Sequence, residues 1–219
     1  MKRVGGLRKL SLTKERINEA IDHLTTTTKR KNWTRSTRKC WEELLSDREK
    51  SVDKIYTGLL TRTYRFKPFK IFYRNENKKT RIIYASYPED QIVDYILDLC
   101  LKYVFTEKKK FIHRNSYGSI EKKGQHELRR RIIEKIKGKD DIYIAVCDTK
   151  QYYPTINHSI LMRVLERHIK DKWALWLCWK TINRMKGIKG LALGLATSNI
   201  LGHVYHSDLR LANYTRIWV

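Results

Sequence analysis

The chain has 219 residues, 41% of them apolar, and sets 47 Lys and Arg against 23 Asp and Glu for a formal net charge of +24. That apolar share and six tryptophans supply a real core and exclude wholesale disorder. The charge implies an anionic partner, with nucleic acid ahead of an anionic membrane because cations are interleaved with aromatics and acids along the whole chain. No run of about 18 apolar residues exists to span a membrane. The basic N-terminus lacks the apolar stretch of a secretory leader, so none is expected. Cys40, Cys100, Cys147 and Cys178 form no CxxC pair. Neither zinc nor a disulfide framework is indicated, and a reduced, cytoplasmic setting is expected.

In chain order, residues 1–10 read as a loose basic arm. Thr13 to Leu24 carries the cap and apolar spacing of a short helix, and the run Thr25 to Thr28 reads as a linker. Trp33 to Leu45 and Val52 to Leu60 predict two more amphipathic helices, the second burying Ile55, Leu59 and Leu60. Pro68 to Arg74 and Thr80 to Tyr84 predict a β-hairpin turning at residues 75–78. Arg74 and Arg81 stand on its facing strands, where two guanidiniums either clamp a triphosphate or a phosphate backbone or simply keep a hairpin soluble. Pro88 to Tyr103 predicts a helix with Glu89 and Asp90 in its first turn and a broad stripe from Ile92 to Cys100.

Asn115 to Gly118 is turn-prone. Gln125 to Ile136 predicts a strongly basic helix with Leu128, Ile132, Ile133 and Ile136 inward. Arg129, Arg130 and Arg131 face outward, as a solvated face or as phosphate contacts. Trp173, Trp176 and Trp179 recur at three-residue steps in a helix near residues 170–186, which suits core or domain contact better than base stacking. Gly187, Gly190 and Gly194 punctuate a segment expected to be flexible, after which Thr197 or Ser198 starts a helix through Tyr205.

Residues 140–165 organise the rest. Ile142 to Val146 predicts a short strand, and Asp148 stands at its C-terminal lip. Tyr152, Tyr153 and Pro154 break the chain, and Asn157 caps a helix carrying Ile160, Leu161, Val164, Leu165 and Ile169 on one face. On these residues alone Asp148 is either a functional carboxylate or a capping acid.

Four blocks in order resemble the bacterial reverse transcriptases of the group II intron, retron and diversity-generating kind. KKTRIIYASYPEDQIV resembles their arginine strand, proline and Asp-led helix, with Gln91 where Arg is usual; NSYGS resembles their SYGFR-type turn, with Ser119 and Ile120 in place of the aromatic and arginine. VCDTKQYYPTINHSIL resembles their first palm motif. GLALGLATSNILGHVY resembles their G-x-P-x-G loop and helix, with Ala192 at the proline and Gly202-His203 at an Ala-Asn pair. The resemblance covers roughly residues 55–208 and implies an α+β right-hand polymerase fold: a basic helical region over 1–60, fingers over 61–140 and a partial palm over 141–219.

It implies RNA-directed DNA polymerase chemistry with an RNA template, a DNA primer and a dNTP as partners. Asp148 and the Thr149 backbone would serve the metal site, with Mg²⁺ or Mn²⁺ as cofactor. Arg74, Arg81, Thr149, Gln151, Tyr152 and Tyr153 would surround the nucleotide, Tyr153 as a steric gate against a ribose 2′-OH. Gly190, Leu193, Gly194, Thr197, Ser198, Arg129 and Arg130 would lie along the template-primer. An aromatic-x-Asp-Asp hairpin should follow the helix ending near Tyr205, and the sequence contains none; Asp140-Asp141 precedes the palm strand, and Arg210 stands near an expected acid. A portion of a polymerase, inactive by itself, is therefore expected, with an open palm edge favouring a second chain or self-association. The alternative is a noncatalytic nucleic-acid-binding or assembly protein on the same scaffold.

Overall fold

The computed structural model describes residues 2–30, 33–76, 79–112, 116–118, 124–143 and 148–213. Its fold is α+β: a cluster of helices carrying a two-stranded antiparallel sheet. In order come α1 (Leu7–Ser11), α2 (Lys14–Leu24), α3 (Thr27–Arg30), α4 (Arg35–Ser46), α5 (Arg48–Leu60), β1 (Lys70–Glu76), β2 (Lys79–Ala85) and α6 (Pro88–Lys102). A π-helical turn (Tyr103–Lys108) continues α6, and α7 (Gln125–Ile136), α8 (Tyr152–Thr155), α9 (His158–His168), α10 (Lys172–Ile182) and α11 (Ala196–Asn213) follow.

The helices start where short polar side chains can accept from their first free N–H groups. Thr13 Oγ1 accepts from Arg16 N at 3.2 Å, Asp47 Oδ1 from Lys50 N at 3.2 Å and Asn157 Oδ1 from Ile160 N at 3.1 Å. Asp171 Oδ1 accepts from Trp173 N at 3.0 Å and Ala174 N at 3.2 Å. The Asp47 cap starts α5 four residues before the expected Val52.

Helix α6 is the hub, packing on α1, α2, α4, α5, α10 and α11. Its Ile92, Val93, Leu97 and Leu101 are fully buried against Leu7, Ile17, Ile21, Leu59 and Val204 of its neighbours. Burying one such side chain is worth about 1.5–3 kcal/mol, so this single helix anchors much of the stability.

Several expectations are corrected. Residues 2–10 are not a loose arm: Val4 N donates to His168 O at 2.8 Å, Lys170 N donates to Val4 O at 2.7 Å, and Leu7 is fully buried. The apolar Val4, Leu7 and Leu12 outweigh the cations between them. The threonine linker is helical from Thr27, where α3 begins. Leu60 is 40% exposed and Ile160 40% exposed, outside the faces predicted for them. The tryptophans of α10 diverge, because a three-residue step turns each about 60° from the last. Trp173 is buried and donates its indole N–H to Leu59 O at 2.9 Å, whereas Trp179 is half exposed.

Helix α7 forms as expected, yet none of its residues is buried; Ile132 and Ile133 are exposed. Of the strand expected over Ile142 to Val146, residues 144–147 lie outside the described set, and residues 141–143 are exposed and not in a strand. Asn115 and Cys147 also lie outside it.

Candidate functional site

Three segments far apart in sequence converge at the C-terminal end of β2. The glycine segment runs antiparallel to residues 153–158. His158 N donates to Ile188 O at 3.0 Å, Gly190 N to Ile156 O at 2.8 Å and Leu191 N to Tyr153 O at 3.0 Å. The His158 Nε2–H donates to Gly190 O at 2.7 Å from a buried ring. At its other end the segment abuts the hairpin, with Tyr84 N donating to Leu193 O at 2.9 Å. The expected flexibility up to Gly194 is therefore corrected: bonded backbone holds the loop on two sides.

Gly194 is the tightest point of that contact. Its φ is +111°, and a Cβ there would lie 2.9 Å from Tyr84 O, so both conformation and space require glycine. Ser198, in the first turn of α11, donates its buried hydroxyl to Ala192 O at 2.6 Å and ties the loop to the helix. Thr197 is fully buried beside it, its hydroxyl without a hydrogen-bond partner.

The turn after Asp148 docks on the same helix. Tyr152 donates its hydroxyl to Gly202 O at 2.6 Å, and Tyr153 donates to Asn199 Oδ1 at 3.0 Å. The two rings meet edge to face, 5.4 Å between centroids. A Cβ at Gly202 would sit 3.4 Å from both rings, so a small residue there lets the tyrosines lie against α11. Burial pushes both hydroxyls above the ordinary tyrosine range, keeping them neutral donors. Gln151 enters the turn with φ +51° and ψ +47°, a left-handed conformation uncommon for a residue with a side chain.

Asp148, Thr149 and Lys150 are exposed. No group of three His, Cys, Asp or Glu that could hold a metal occurs among the described residues. A pair of divalent ions bridged by several carboxylates therefore does not fit the residues placed around Asp148.

On the hairpin, Arg74 and Arg81 are directly opposite in the register, both exposed, as the sequence suggested. Strand alternation puts Ile71, Tyr73 and Ile82 on one face, where all three are exposed, and Phe72 and Ile83 on the other. The outward arginines of α7 differ among themselves. Arg130 pairs with Glu127 at 2.8 Å and with Glu134, and Arg131 pairs with Glu127 at 2.9 Å and lies over the Tyr117 ring. These pairs hold the Glu127 carboxyl well below its usual range. A phosphate approaching Arg130 competes with two acids; Arg129 is exposed.

Sequence reasoning missed the buried ionic centre. Asp90, Asp94 and Asp98 recur at four-residue steps along α6 and are 0%, 2% and 3% exposed. Arg184, just past α10, donates to Asp90 Oδ2 and Asp94 Oδ2 at 3.1 Å each. Its guanidinium is stacked between Phe66 and Phe69, 4.4 and 4.0 Å from their centroids. Tyr64 donates to Asp90 Oδ1 at 2.8 Å, the Lys67 amide to Asp90 Oδ2 at 3.0 Å, and Ser86 to Asp94 Oδ2 at 3.3 Å. Burial raises the pKa of all three acids, that of Asp94 to about 7. The available signal was the spacing: acids at i, i+4 and i+8 on a helix with an apolar stripe require partners.

No helix among the described residues is long and apolar enough to cross a membrane. No protein-family model matches the chain, and no curated protein shows significant similarity to it.

Proposed function

We propose that this chain is the fingers and front palm of a reverse-transcriptase-like enzyme, and that its own role is to hold a template-primer and position a nucleotide. The observation that carries this is the convergence of three of the resembling blocks. The end of β2, the Tyr152–Tyr153 turn and the glycine loop with α11 are bonded to one another across more than a hundred residues of sequence. Chance blocks would not be expected to assemble one surface.

In this reading the accessible part of the loop, Leu193, Gly194 and Ala196, runs along the template, while the buried Gly190, Thr197 and Ser198 shape it from beneath; Leu193 and Gly194 make its closest approach to the hairpin. Arg74 and Arg81 face each other and take the triphosphate as two forked donors. Tyr153, fixed by Asn199, presents its ring edge to the sugar. The cations of a chain at +24 hold the duplex through its phosphates without reading sequence. A DNA primer on an RNA template and a dNTP are the ligands, and Mg²⁺ or Mn²⁺ would need carboxylates beyond Asp148. We therefore assign no metal-dependent step to these residues and expect no primer extension from them alone.

A noncatalytic nucleic-acid-binding or assembly role is favoured by one specific observation: among the described residues no group of three His, Cys, Asp or Glu that could hold a metal occurs, at Asp148 or elsewhere. The exposed apolar residues of α7, with Ile142 and Tyr143, offer a face for a second chain or for self-association.

Two assays test these readings. Template-primer binding should be tight at low salt and fall steeply toward about 0.1–0.2 M; no binding at any salt overturns both. Primer extension with Mg²⁺ or Mn²⁺, abolished by Asp148→Asn, would show that the chain is itself catalytic and overturn the expected inactivity.

A further inference from the structure

The cations of this chain are not all equally free. Arg16 pairs with Glu19, Arg48 with Asp22, Lys54 and Lys67 with Glu89, and Lys102 with Asp98. Arg30 at the end of α3 and Arg35, Arg38 and Lys39 of α4 are exposed, and none of these four pairs with an acid among the described residues. Residues at i, i+3 and i+4 share one helical face, so Arg35, Arg38 and Lys39 stand together at the start of α4.

Arg30 joins them through the aromatics. Its guanidinium lies over the Trp33 ring, 5.9 Å from the centroid, and Trp33 stacks on the buried Trp41 of α4 at 5.4 Å with 4° between planes. Ser36, next to Arg35, accepts from Lys70 Nζ at 3.0 Å, and Lys70 lies over the Tyr87 ring at 4.5 Å. The face is thus pinned to the core by Trp41 and to the base of the hairpin by Lys70. Its charges do nothing for the helix that carries most of them. Helices α2, α5, α6 and α7 each place an acid in the first turn, where free N–H groups favour negative charge. Helix α4 has no acid there and puts cations at that end, with Glu42 and Glu43 beyond them.

We propose that the face made by Arg30, Arg35, Arg38 and Lys39 binds the phosphate backbone of a nucleic-acid strand. The proposal takes its ligand class from the nucleic-acid reading above and adds a surface to it. This one lies against β1 through Lys70, whereas the glycine loop lies against β2 through Tyr84. Guanidiniums suit phosphate oxygens as forked donors, and three of the four cations are arginine. No exposed large apolar side chain stands among these residues, and Trp33 is already engaged by Arg30 and Trp41. That leaves nothing to insert into a lipid layer and no ring for a base to stack on. The contact is therefore with the backbone and independent of sequence. A second copy of a chain at +24 is repelled.

The test is fluorescence-anisotropy titration of the full chain with a labelled single-stranded RNA of about 20 nucleotides, in salt from about 50 to 200 mM. Arg35→Gln/Arg38→Gln/Lys39→Gln should lower the slope of log K against log salt by about 2, at about 0.7 per lost phosphate contact. Affinity at the lower salt should fall at least about tenfold. The control, Lys14→Gln/Arg16→Gln/Lys54→Gln, removes the same charge from cations already paired with Asp53, Glu19 and Glu89, and should move the slope by less than about 0.7. Glu42→Gln should tighten binding about twofold by removing an acid beside the face. Circular dichroism should be unchanged in all three variants. An equal loss in both triple variants would mean that net charge alone acts, and would overturn the proposal. So would binding to phosphatidylglycerol vesicles that needs the three cations when RNA binding does not. RNA binding that depends on the α4 face, with no preference for a template-primer over a single strand, keeps this surface and removes the template-primer reading. A template-primer preference and a salt slope both left intact by the α4 triple variant do the reverse.

Discussion

The aspartates of α6 and the aspartate at 148 are the same side chain in opposite circumstances. Asp90, Asp94 and Asp98 are buried on the hub helix, and Arg184, Tyr64, Ser86 and Lys102 come from four directions to pair with them, with Asp94 Oδ1 left without a hydrogen-bond partner. Asp148 is exposed on a turn whose two tyrosines, Tyr152 and Tyr153, are held against α11. A buried carboxylate must find its partners within the fold, so the α6 acids are architecture. An exposed carboxylate beside well-fixed aromatics is free to serve something that is not part of the fold. The turn around Asp148 is positioned; the acid itself is not consumed in the positioning.

The harshest way to break this contrast is at Arg184. Replacing it by Met strips the countercharge from two buried acids and empties the slot between Phe66 and Phe69. The expected loss is about 3–5 kcal/mol at pH 8, read from urea unfolding. It should be smaller near pH 5, where the raised pKa values let the abandoned acids take protons.

Next in size is Gly194→Ala. Gly194 and Gly187 share a positive φ, +111° and +113°, but a Cβ at Gly187 meets nothing within 4 Å while one at Gly194 meets a carbonyl at 2.9 Å. Gly187→Ala should cost about 1 kcal/mol from conformation alone. Gly194→Ala should cost roughly 2–3 kcal/mol, and should also free the Tyr84 amide, seen as faster hydrogen exchange there. Equal costs would mean that the loop does not press on the hairpin as described.

The acids themselves give a pH signature. Asp94 rises from an ordinary 3.8 to about 7 on folding, so between those values the folded chain holds a proton that the unfolded chain has released. Its contribution is therefore fully present below about pH 4 and is lost as pH rises through about 7. Asp90 and Asp98 shift the same way. Asp94→Asn should flatten that part of the pH–stability curve, changing the wild-type-minus-variant difference by about 1 kcal/mol or more between pH 5 and 8. A difference that grows in favour of the wild type as pH rises would reverse the assignment.

How much of this was legible beforehand depends on whether the signal was local. The caps at Thr13 and Asn157, the hairpin with Arg74 opposite Arg81 and the stripe of α6 could be read because each is set by neighbours in sequence. The buried N-terminus was not, because Val4 and Leu7 find their partners near residue 169 and on α6. Arg184 looked like any of 47 cations; only three-dimensional contact with α6 sets it apart. At the candidate site Tyr152, Tyr153, Leu193, Gly194 and Ser198 were picked out and do come together in one region, whereas the role of Asn199 depends on how α11 packs and had no local mark.

The smallest expected effect sharpens the contrast most. Asp148→Asn should change the unfolding free energy by no more than about 0.5 kcal/mol, the range of exposed positions without a structural duty. Tyr153→Phe, which removes a hydroxyl held by Asn199, should cost more, about 0.5–1.5 kcal/mol. An Asp148 that proved more costly than the Tyr153 hydroxyl would have to be satisfying backbone or side-chain donors within the fold. It would then belong with the α6 acids, and the case for an outside partner at that turn would fall. If the order holds, the turn keeps its shape without its carboxylate, and Asp148→Asn becomes a clean probe of nucleotide or metal binding in any assembly that supplies the remaining acids.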